Sequence, residues 1–345
     1  MKVALFDYFL PAERIAQTAR PRGESRLLVL DRKTGSIGHR RFAEFPDLLA
    51  GGDLLVRNDV RVRHARLYGR DAKDRLVEIF LLRPIDGLRR WETLAKPGRR
   101  ARPGQVIRLE SGARATVEEA RDGKRVVLFD RDLDQALLLR IGRTPLPPYI
   151  RREPGAPDRE DDRASYQTVF AREPLAAAAP TAGLHFTQET LARIRARGVT
   201  IADLTLAIGA GTFQPVTAIE TDAHALDPED VVIPAGTALA VAKAKAEGRR
   251  VVAVGTTVTR ALEAGARRPE GLRDSGVAFS TDLFITPGTE FRAVDALLTN
   301  FHLPRSTLLM LVCAFGGREN VLAAYQEAIG QGYFFYSFGD AMFVA

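Results

Sequence analysis

The second half of the chain alternates between short apolar runs and helical patterns, and this alternation restricts the fold more than any other feature. Residues 199–206 and 251–254 are apolar runs with the length of buried strands, and residues 238–247 form an alanine-rich helical pattern. Residues 292–298 predict another helix. Strands and helices in alternation indicate a layered α/β domain, in which helices cover the faces of a sheet.

The segment between about residues 65 and 130 has a different, β-rich texture. Turn signals such as Pro103-Gly104 and Asp122-Gly123 divide it into short runs. These apolar or β-branched runs fall at 77–82, 91–94, 106–109, 115–117 and 125–129. Many short strands at close spacing predict a small antiparallel β-barrel.

The two textures together predict one α/β domain that is built from both ends of the chain, with the barrel inserted between its parts. We place the α/β domain at residues 1–62 and 153–345, and the inserted barrel at residues 63–152. Residues 144–174 contain repeated prolines and an acidic run at 158–162. This composition predicts a linker or loop whose charges are solvated.

Composition excludes several classes of protein. The 345 residues are 46% hydrophobic, which is enough for a full core, and the single cysteine, Cys313, rules out an internal disulfide or a multi-thiolate metal site. Cys313 follows an apolar run, so we expect a buried thiol. No apolar run approaches the ~20 residues that a transmembrane helix needs, and Asp7 and Pro11 interrupt any signal-peptide core. We therefore expect a monomeric cytoplasmic protein without a bound metal or a membrane anchor.

Positive charge is in excess and clustered. The formal net charge is +7, which favours a polyanionic partner such as nucleic acid. The basic residues concentrate in two places: Arg57, Arg61, Arg63, His64 and Arg66 in the first, and Arg99, Arg100 and Arg102 in the second. Each cluster is either an RNA-binding surface or an ordinary solvated face, and the sequence leaves both interpretations open.

Several familiar site motifs are missing from the sequence. It contains no G-x-x-x-x-G-K-[ST] loop, and Gly209-Ala210-Gly211 lacks the third glycine of a dinucleotide fingerprint. It also contains no H-E-x-x-H, no C-x-x-C and no G-x-S-x-G. A P-loop nucleotidase, a zinc protease and an α/β-hydrolase are therefore unsupported.

Four loops that combine glycine with polar side chains adjoin the predicted strands and helices. They lie at residues 180–187, 209–216, 255–263 and 299–307. Glycine lets backbone approach a ligand closely, and a loop that leads into a helix can hold an anionic group on its N–H groups. Ligands of α/β sheets also bind where strands end. The candidate ligand-binding residues are Gly183, Thr187, Gly209, Gly211, Phe213, Gly255, Thr256, Thr257, Arg260 and Asn300.

Each of these loops also has a purely structural interpretation. A Gly-Thr-Thr sequence after a strand is usually a turn and a helix cap. His185 and His302 adjoin apolar residues, where a histidine is more often a hydrogen-bonded core residue than a catalyst. Arg260 and Glu263 are three residues apart on a predicted helix, so a local ion pair is the plain expectation. Four such loops in one domain favour a functional site.

Further fragments accompany the four loops in a fixed order along nearly the whole chain. They lie at residues 6–11, 25–30, 58–62, 94–98, 145–150, 284–288 and 337–342. With these fragments and loops the chain resembles the S-adenosylmethionine:tRNA ribosyltransferase-isomerase family of queuosine biosynthesis. Each fragment is weak alone, but their order and spacing together are specific.

The resemblance implies an α/β domain with an inserted barrel, in agreement with the two textures, and it also implies a reaction. The ribosyl group of S-adenosylmethionine, a co-substrate and not a bound cofactor, is transferred to 7-aminomethyl-7-deazaguanine at the anticodon wobble position of tRNA. Epoxyqueuosine forms, and adenine and methionine are released. This chemistry needs proton transfer, so His185 and His302 become the candidates for base and acid, in no assigned order, with Asp340 and Glu263 in reserve. Arg260 and the backbone of Gly255-Thr256-Thr257 become candidates to hold the methionine carboxylate.

The sequence departs from the family pattern at three places. Ala207 stands where a histidine is usual, and Asp227 stands where a second histidine follows the one at His224. Phe334 replaces a usual arginine. Two rival functions stay open: a different S-adenosylmethionine enzyme that acts on a small molecule, and a non-catalytic RNA-binding module.

Overall fold

The computed structural model describes residues 1–209, 216–272 and 276–345, and the chain divides into two compact units. The first comprises Met1–Val60, Thr168–Glu173 and Ala179–Ala345, and the second comprises Arg61–Gln167 and Pro174–Ala178. These units are sets of residues that pack together. The domain limits drawn from the sequence, 62/63 and 152/153, stay a prediction.

The first unit is built on a nine-stranded mixed sheet. Its strands are β1 (Arg26–Leu30), β2 (Ile37–Arg41), β3 (Leu54–Asn58), β10 (Thr200–Leu206), β11 (Glu229–Ile233), β12 (Val251–Val254), β13 (Val277–Thr281), β14 (Ala296–Asn300) and β15 (Ala341–Val344). The order across the sheet is β13-β11-β10-β3-β12-β14-β15-β1-β2. The four strands β10, β3, β12 and β14 run parallel, and β15 is antiparallel to β14.

The second unit holds a closed antiparallel barrel. Its strands are β4 (Arg66–Arg70), β5 (Leu76–Asp86), β6 (Arg90–Lys96), β7 (Val106–Leu109), β8 (Arg114–Arg121) and β9 (Lys124–Phe129), in the order β4-β5-β6-β9-β8-β7. Trp91, Phe129 and Ile79 belong to the apolar cluster that fills it. Alternate residues of β8 point inward, since Ala115 and Val117 are fully buried while their neighbours are not. The predicted layered α/β fold with a small inserted barrel is confirmed.

Seven α-helices accompany these strands in the described ranges. They are α1 (Gln135–Ile141), α2 (Glu160–Ser165), α3 (Gln188–Ala196), α4 (Ala235–Ala246), α5 (Thr256–Ala266), α6 (Thr307–Gly316) and α7 (Arg318–Gly330). Side-chain caps fix several starts: Thr187 Oγ1 accepts from the Thr190 N–H at 3.0 Å, and Ser306 Oγ accepts from the Leu309 N–H at 3.2 Å. Threonine and serine are among the residue types that most often cap a helix, so these two starts follow from the local sequence.

The helix predicted at residues 292–298 is wrong. The chain enters strand β14 there, and all five residues of that strand are buried. The N–H groups of Arg292, Ala293 and Val294 donate to the Glu263 carboxylate, so they are not available for a helical turn. A short apolar run cannot be assigned to helix or strand by its periodicity alone.

The acidic run at residues 158–162 is only partly the solvated loop that its composition predicts: residues 159–161 are exposed, but helix α2 begins at Glu160 and the two end residues of the run are engaged within the protein. Asp162 is buried and accepts two hydrogen bonds from the Arg152 guanidinium, at 2.8 and 2.7 Å. Asp158 accepts from the hydroxyl of Thr144 at 2.8 Å and pairs with Arg163 at 3.0 Å. These ion pairs and hydrogen bonds to Thr144, Arg152 and Arg163 therefore fix the two aspartates in place.

Membrane-spanning potential is confined to one bent pair of helices. Within the described ranges, no single helix is long and apolar enough to cross a membrane. Helices α6 and α7 pass such a test only when taken together, by length and composition, and a bend of 114° separates them.

Candidate functional site

The polar loops meet at one edge of the nine-stranded sheet, which we call the strand-end edge. Strands β3, β12 and β14 end there at Asn58, Val254 and Asn300, because all three run in the same direction. Asn300 lies opposite Ala341, the first residue of antiparallel β15, so Asp340 reaches the same edge. Ligands of α/β proteins bind in the crevice beyond the ends of parallel strands.

A small pocket of about 30 Å³ opens at the strand-end edge. Its lining residues are Ala179, Pro180, Thr181, Ala182, Ile208, Gly255, Thr256, Thr257, Thr299, His302 and Leu308. Three of the four loops selected from the sequence contribute to it, and the fourth begins next to Ile208. The structure therefore brings these loops together, as their positions at strand ends predict.

A larger pocket of about 600 Å³ lies within the second unit, but its lining does not suggest the same chemistry. Arg70 and Asp74 are paired across it, and Glu110 is paired with Arg143. None of the ligand-binding residues predicted from the sequence lines this pocket. We therefore take the strand-end edge as the candidate site.

Helix α5 begins at the wall of the small pocket. Gly255 precedes it with φ at +96°, a backbone conformation that L side chains rarely adopt, and its N–H donates to Leu298 O at 2.7 Å. Because the capping residue is glycine, no side chain caps the first turn. The hydroxyl of Thr257 is buried and has no hydrogen-bond partner in the described part of the chain.

His302 is the histidine that lines the pocket. Its Nε2 lies 2.8 Å from Thr299 Oγ1, its backbone N–H donates to Tyr325 Oη at 3.1 Å, and its carbonyl accepts from the hydroxyl of Tyr8. Burial lowers the pKa of His302 to about 3, because the surroundings disfavour the charged imidazolium. One hydrogen bond therefore orients the ring, two others fix the backbone of the same residue, and the ring is neutral at pH 7.

His185 lies at the same edge but is not among the residues that line the pocket. Its Nδ1 is 2.9 Å from Ser25 Oγ, and its ring packs against Phe42 with centroids 5.1 Å apart. Burial lowers its pKa to about 4, and the side chain of Asn300 opposes this shift. Asn300 is fixed by its own amide, which donates to Tyr336 O at 2.9 Å.

Arg260 does not form the local ion pair that its spacing from Glu263 predicts. Its guanidinium pairs with Glu229, and burial lowers its pKa to about 10. The other oxygen of Glu229 accepts from the N–H of Gly209 at 2.9 Å. The Glu229 carboxylate thus joins α5 to the start of the predicted second loop. It pairs with one nitrogen of the guanidinium, while Arg260 Nε has no hydrogen-bond partner among the described residues.

Glu263 and Asp340, the two reserve candidates for proton transfer, make contacts that are typical of structural carboxylates. Glu263 is fully buried and accepts from three consecutive backbone N–H groups as well as from Arg267. Asp340 is also fully buried and accepts from the N–H groups of Arg26 and Phe334, each at 2.8 Å. Burial raises the pKa of Asp340, although these N–H groups oppose the shift. Neither carboxylate lines the pocket.

Of the remaining residues predicted to bind a ligand, two have structural roles and two lie outside the described ranges. A Cβ added to Gly183 would come within 2.8 Å of Phe170 and Thr168, so this glycine is required by packing. Thr187 is occupied as the cap of α3. Gly211 and Phe213 lie outside the residues that the structure describes.

The first basic cluster is largely engaged within the protein. In the first unit, Arg57 is buried, makes two hydrogen bonds to Asp203 at 2.7 and 3.0 Å, and lies over the ring of Phe170. In the second unit, Arg63 donates to the carbonyls of Pro174 and Leu175, Arg66 donates to that of Leu146, and Arg61 and His64 are half-buried. Arg57 is therefore not the surface residue that we expected.

The second basic cluster is more accessible. Arg99 and Arg102 are exposed, and the described residues give neither side chain an ion-pair partner. Arg100 is half-buried and donates to Leu76 O at 2.9 Å. Two of its three members are thus free to contact phosphate.

Some residues of the site were not selected from the sequence. Thr181 and Thr299 line the pocket, and Ser25 bonds His185, but only their positions beside strand or helix ends could have pointed to them. The departure at Phe334 has a local feature: the Arg20 guanidinium lies 5.1 Å from its ring centroid and also pairs with Asp340 at 3.1 Å. Nothing in the structure explains the departures at Ala207 and Asp227.

The fold and the strand-end edge define an α/β protein with a small candidate ligand pocket next to parallel strand ends. A profile described as "Queuosine biosynthesis protein" matches residues 3–344. A protein of Heliobacterium modesticaldum named S-adenosylmethionine:tRNA ribosyltransferase-isomerase is 51% identical over 349 residues, covering 100% of both chains. One of the same name from Anaeromyxobacter dehalogenans is 49% identical over 99% of each.

A solved structure agrees with these sequence matches. The crystal structure of S-adenosylmethionine tRNA ribosyltransferase from Thermotoga maritima superimposes with a TM-score of 0.57 at 37% identity, covering 99% of this chain and 100% of that one. The chain therefore belongs to the queuosine biosynthesis protein family. The resemblance inferred from the sequence fragments is confirmed.

Proposed function

We propose that the protein is a tRNA-modifying transferase. It moves the ribosyl part of S-adenosylmethionine onto 7-aminomethyl-7-deazaguanine at the wobble position of the tRNA anticodon and isomerises it. Epoxyqueuosine is the product, and adenine and methionine leave. The observation that carries the proposal is identity of about half the residues, from end to end, with proteins that bear the name of this activity.

The reaction makes three demands on the site. A base removes a proton from the 5′ carbon, where the positive sulfur stabilises the carbanion. Adenine then leaves, helped by an acid, and the aminomethyl nitrogen bonds to the anomeric carbon of the sugar. The 5′ carbanion adds to this same carbon as the ring oxygen leaves it, and that oxygen then attacks the 5′ carbon. Closure of the epoxide expels methionine. We assign base and acid to His302 and His185 in no fixed order, since proton transfer by a positioned imidazole suits both steps.

The contacts of the two histidines favour His302 as the group nearer to the bound donor. His302 lines the pocket, whereas His185 is bonded to Ser25. Both are neutral at pH 7, the form that accepts a proton, because burial lowers the pKa of each. The histidine that acts as acid therefore has to gain its proton within the reaction cycle, and the sulfonium makes the 5′ proton easier to remove. Asp340 and Glu263 stay reserve candidates with a weaker case, since other groups of the protein already occupy their oxygens.

The tRNA partner is supported by the surplus of positive charge and by exposed arginines on the barrel. Phosphate contacts supply most of the salt-dependent affinity of a nucleic-acid complex. Arg99 and Arg102 are the members of the predicted clusters best placed for such contacts. We take the enzyme to act as a monomer, which light scattering with and without tRNA checks.

Isotope labelling separates this function from its rivals. tRNA that carries the aminomethyl base is incubated with S-adenosylmethionine labelled either in the methyl group or in the ribose carbons. Only the ribose label should enter the RNA, and free adenine and methionine should appear in step with it. Methyl label in the RNA, or release of S-adenosylhomocysteine, points to a methyltransferase. Binding of tRNA without binding of S-adenosylmethionine points to a non-catalytic RNA-binding module.

A further inference from the structure

The start of helix α5 presents uncompensated hydrogen-bond donors to the pocket. The first N–H groups of a helix have no partners within it and carry the positive end of the helix dipole. A capping side chain usually satisfies one of them, but Gly255 has none to offer. Thr256 and Thr257, the first two residues of this 11-residue helix, both line the pocket.

The hydroxyl of Thr257 is a second and independent indication of a ligand. The residue is only 7% exposed, and its Oγ1 has no hydrogen-bond partner among the described residues. A buried hydroxyl without a partner is costly, so native structures satisfy nearly all of them with protein, water or ligand. Thr256 and Thr257 line one pocket, so an acceptor in that pocket is within reach of both the helix start and this hydroxyl.

The lining of the pocket favours an anionic acceptor. None of its eleven residues is an aspartate or a glutamate, so no carboxylate competes for the donors or repels an anion. Arg260, which the sequence suggested as a partner for a carboxylate, is already paired with Glu229. A volume of about 30 Å³ suits a carboxylate, since one water-sized group needs about 10–15 Å³ and a purine is several times larger.

We propose that the N-terminus of helix α5 and the Thr257 hydroxyl bind the α-carboxylate of the methionyl part of S-adenosylmethionine. The ribose and the adenine then lie outside this pocket. Binding energy from this remote group fixes the sugar for reaction. The inference rests on the proposed function and deepens it, because it assigns one part of the donor to one set of atoms.

The test compares two donors on the full-length protein by titration calorimetry: S-adenosylmethionine and its decarboxylated form, which lacks only the carboxylate. Wild type should bind S-adenosylmethionine more tightly. Thr257→Val should weaken binding of S-adenosylmethionine about tenfold to a hundredfold, the value of a hydrogen bond to a charged group, and leave binding of the decarboxylated form unchanged. Thr257→Ser, which keeps the hydroxyl, should restore most of the preference.

Thr259→Val provides the matched control. Thr259 lies on the same helix and is fully buried, but its hydroxyl donates to Gly255 O and it does not line the pocket. This variant should keep the preference for the carboxylated donor. Equal weakening of both donors by Thr257→Val, or no weakening of either, overturns the carboxylate site. The proposal is also overturned if the wild-type protein binds both donors equally well, and this measurement does not depend on whether Thr257→Val folds. These outcomes leave ribosyl transfer intact, whereas a wild type that binds neither donor overturns both proposals.

Discussion

Replacing Glu263 with glutamine distinguishes a structural carboxylate from a catalytic one. Glu263 is fully buried, and its oxygens accept from the N–H groups of Arg292, Ala293 and Val294 at 2.9 to 3.0 Å in the shortest contacts. Arg267 adds an ion pair at 2.5 Å. In Glu263→Gln, the side-chain NH2 group would face backbone N–H groups, so hydrogen-bond donors would oppose each other. The substitution would also remove the negative charge that pairs with Arg267.

The expected loss can be derived from these contacts. Each buried donor left unpaired costs about 1–3 kcal/mol, and removal of one partner of a buried ion pair costs about 3–5 kcal/mol in all. These contributions overlap because they share one side chain, so we expect Glu263→Gln to lower the free energy of unfolding by about 3–5 kcal/mol. That is a large part of the ~5–15 kcal/mol typical of a domain.

The assay is urea denaturation followed by far-UV circular dichroism, together with turnover measured below the unfolding transition. Glu263→Gln should shift the midpoint strongly and keep near-normal turnover per folded molecule. Glu290→Gln is the control, because the Glu290 side chain is 80% exposed and close in sequence to the same backbone donors. It should change stability by no more than about 0.5 kcal/mol. A Glu263→Gln variant with wild-type stability and lost turnover would refute the structural role.

Four further predictions concern the histidines and the basic clusters. His302→Ala should reduce turnover more than His185→Ala, with both variants folded by circular dichroism; equal, near-wild-type rates would remove both from proton transfer. Because burial lowers the folded-state pKa of these histidines from 6.5 to about 3 and about 4, the unfolded chain binds protons first, so stability should fall as pH drops from 6.5 toward 4. Denaturation midpoints across that range should slope less in the double His→Gln variant, and an unchanged slope would contradict the burial argument. Arg99→Ala with Arg102→Ala should reduce the slope of log tRNA affinity against log salt by about 0.7 to 0.9 per lost phosphate contact. Arg57→Ala should instead destabilise the fold by about 3–5 kcal/mol, as expected for a broken buried pair, and a stable variant with weaker tRNA binding would restore Arg57 to the RNA surface.

Local signals in the sequence determined the architecture and the position of the site. Alternating helix and strand patterns, glycine and proline turn signals, and helix caps such as Thr187 and Ser306 depend only on neighbouring residues. They were sufficient for the α/β layers, the barrel and three loops that meet at the pocket. The order of elements along the chain is enough to place a loop that follows a parallel strand at a sheet edge, because the chain direction fixes which end the loop leaves.

The partner of each charged side chain was decided only by the tertiary structure. Arg260 pairs with Glu229, which is distant in sequence, and not with nearby Glu263; Arg57 pairs with Asp203 across neighbouring strands. Residues 292–298 lost their predicted helix for the same reason, since Glu263 binds the backbone there. Distance in space and the exclusion of water decide which ionic and hydrogen-bonding groups pair. Neither quantity can be read from spacing along the chain.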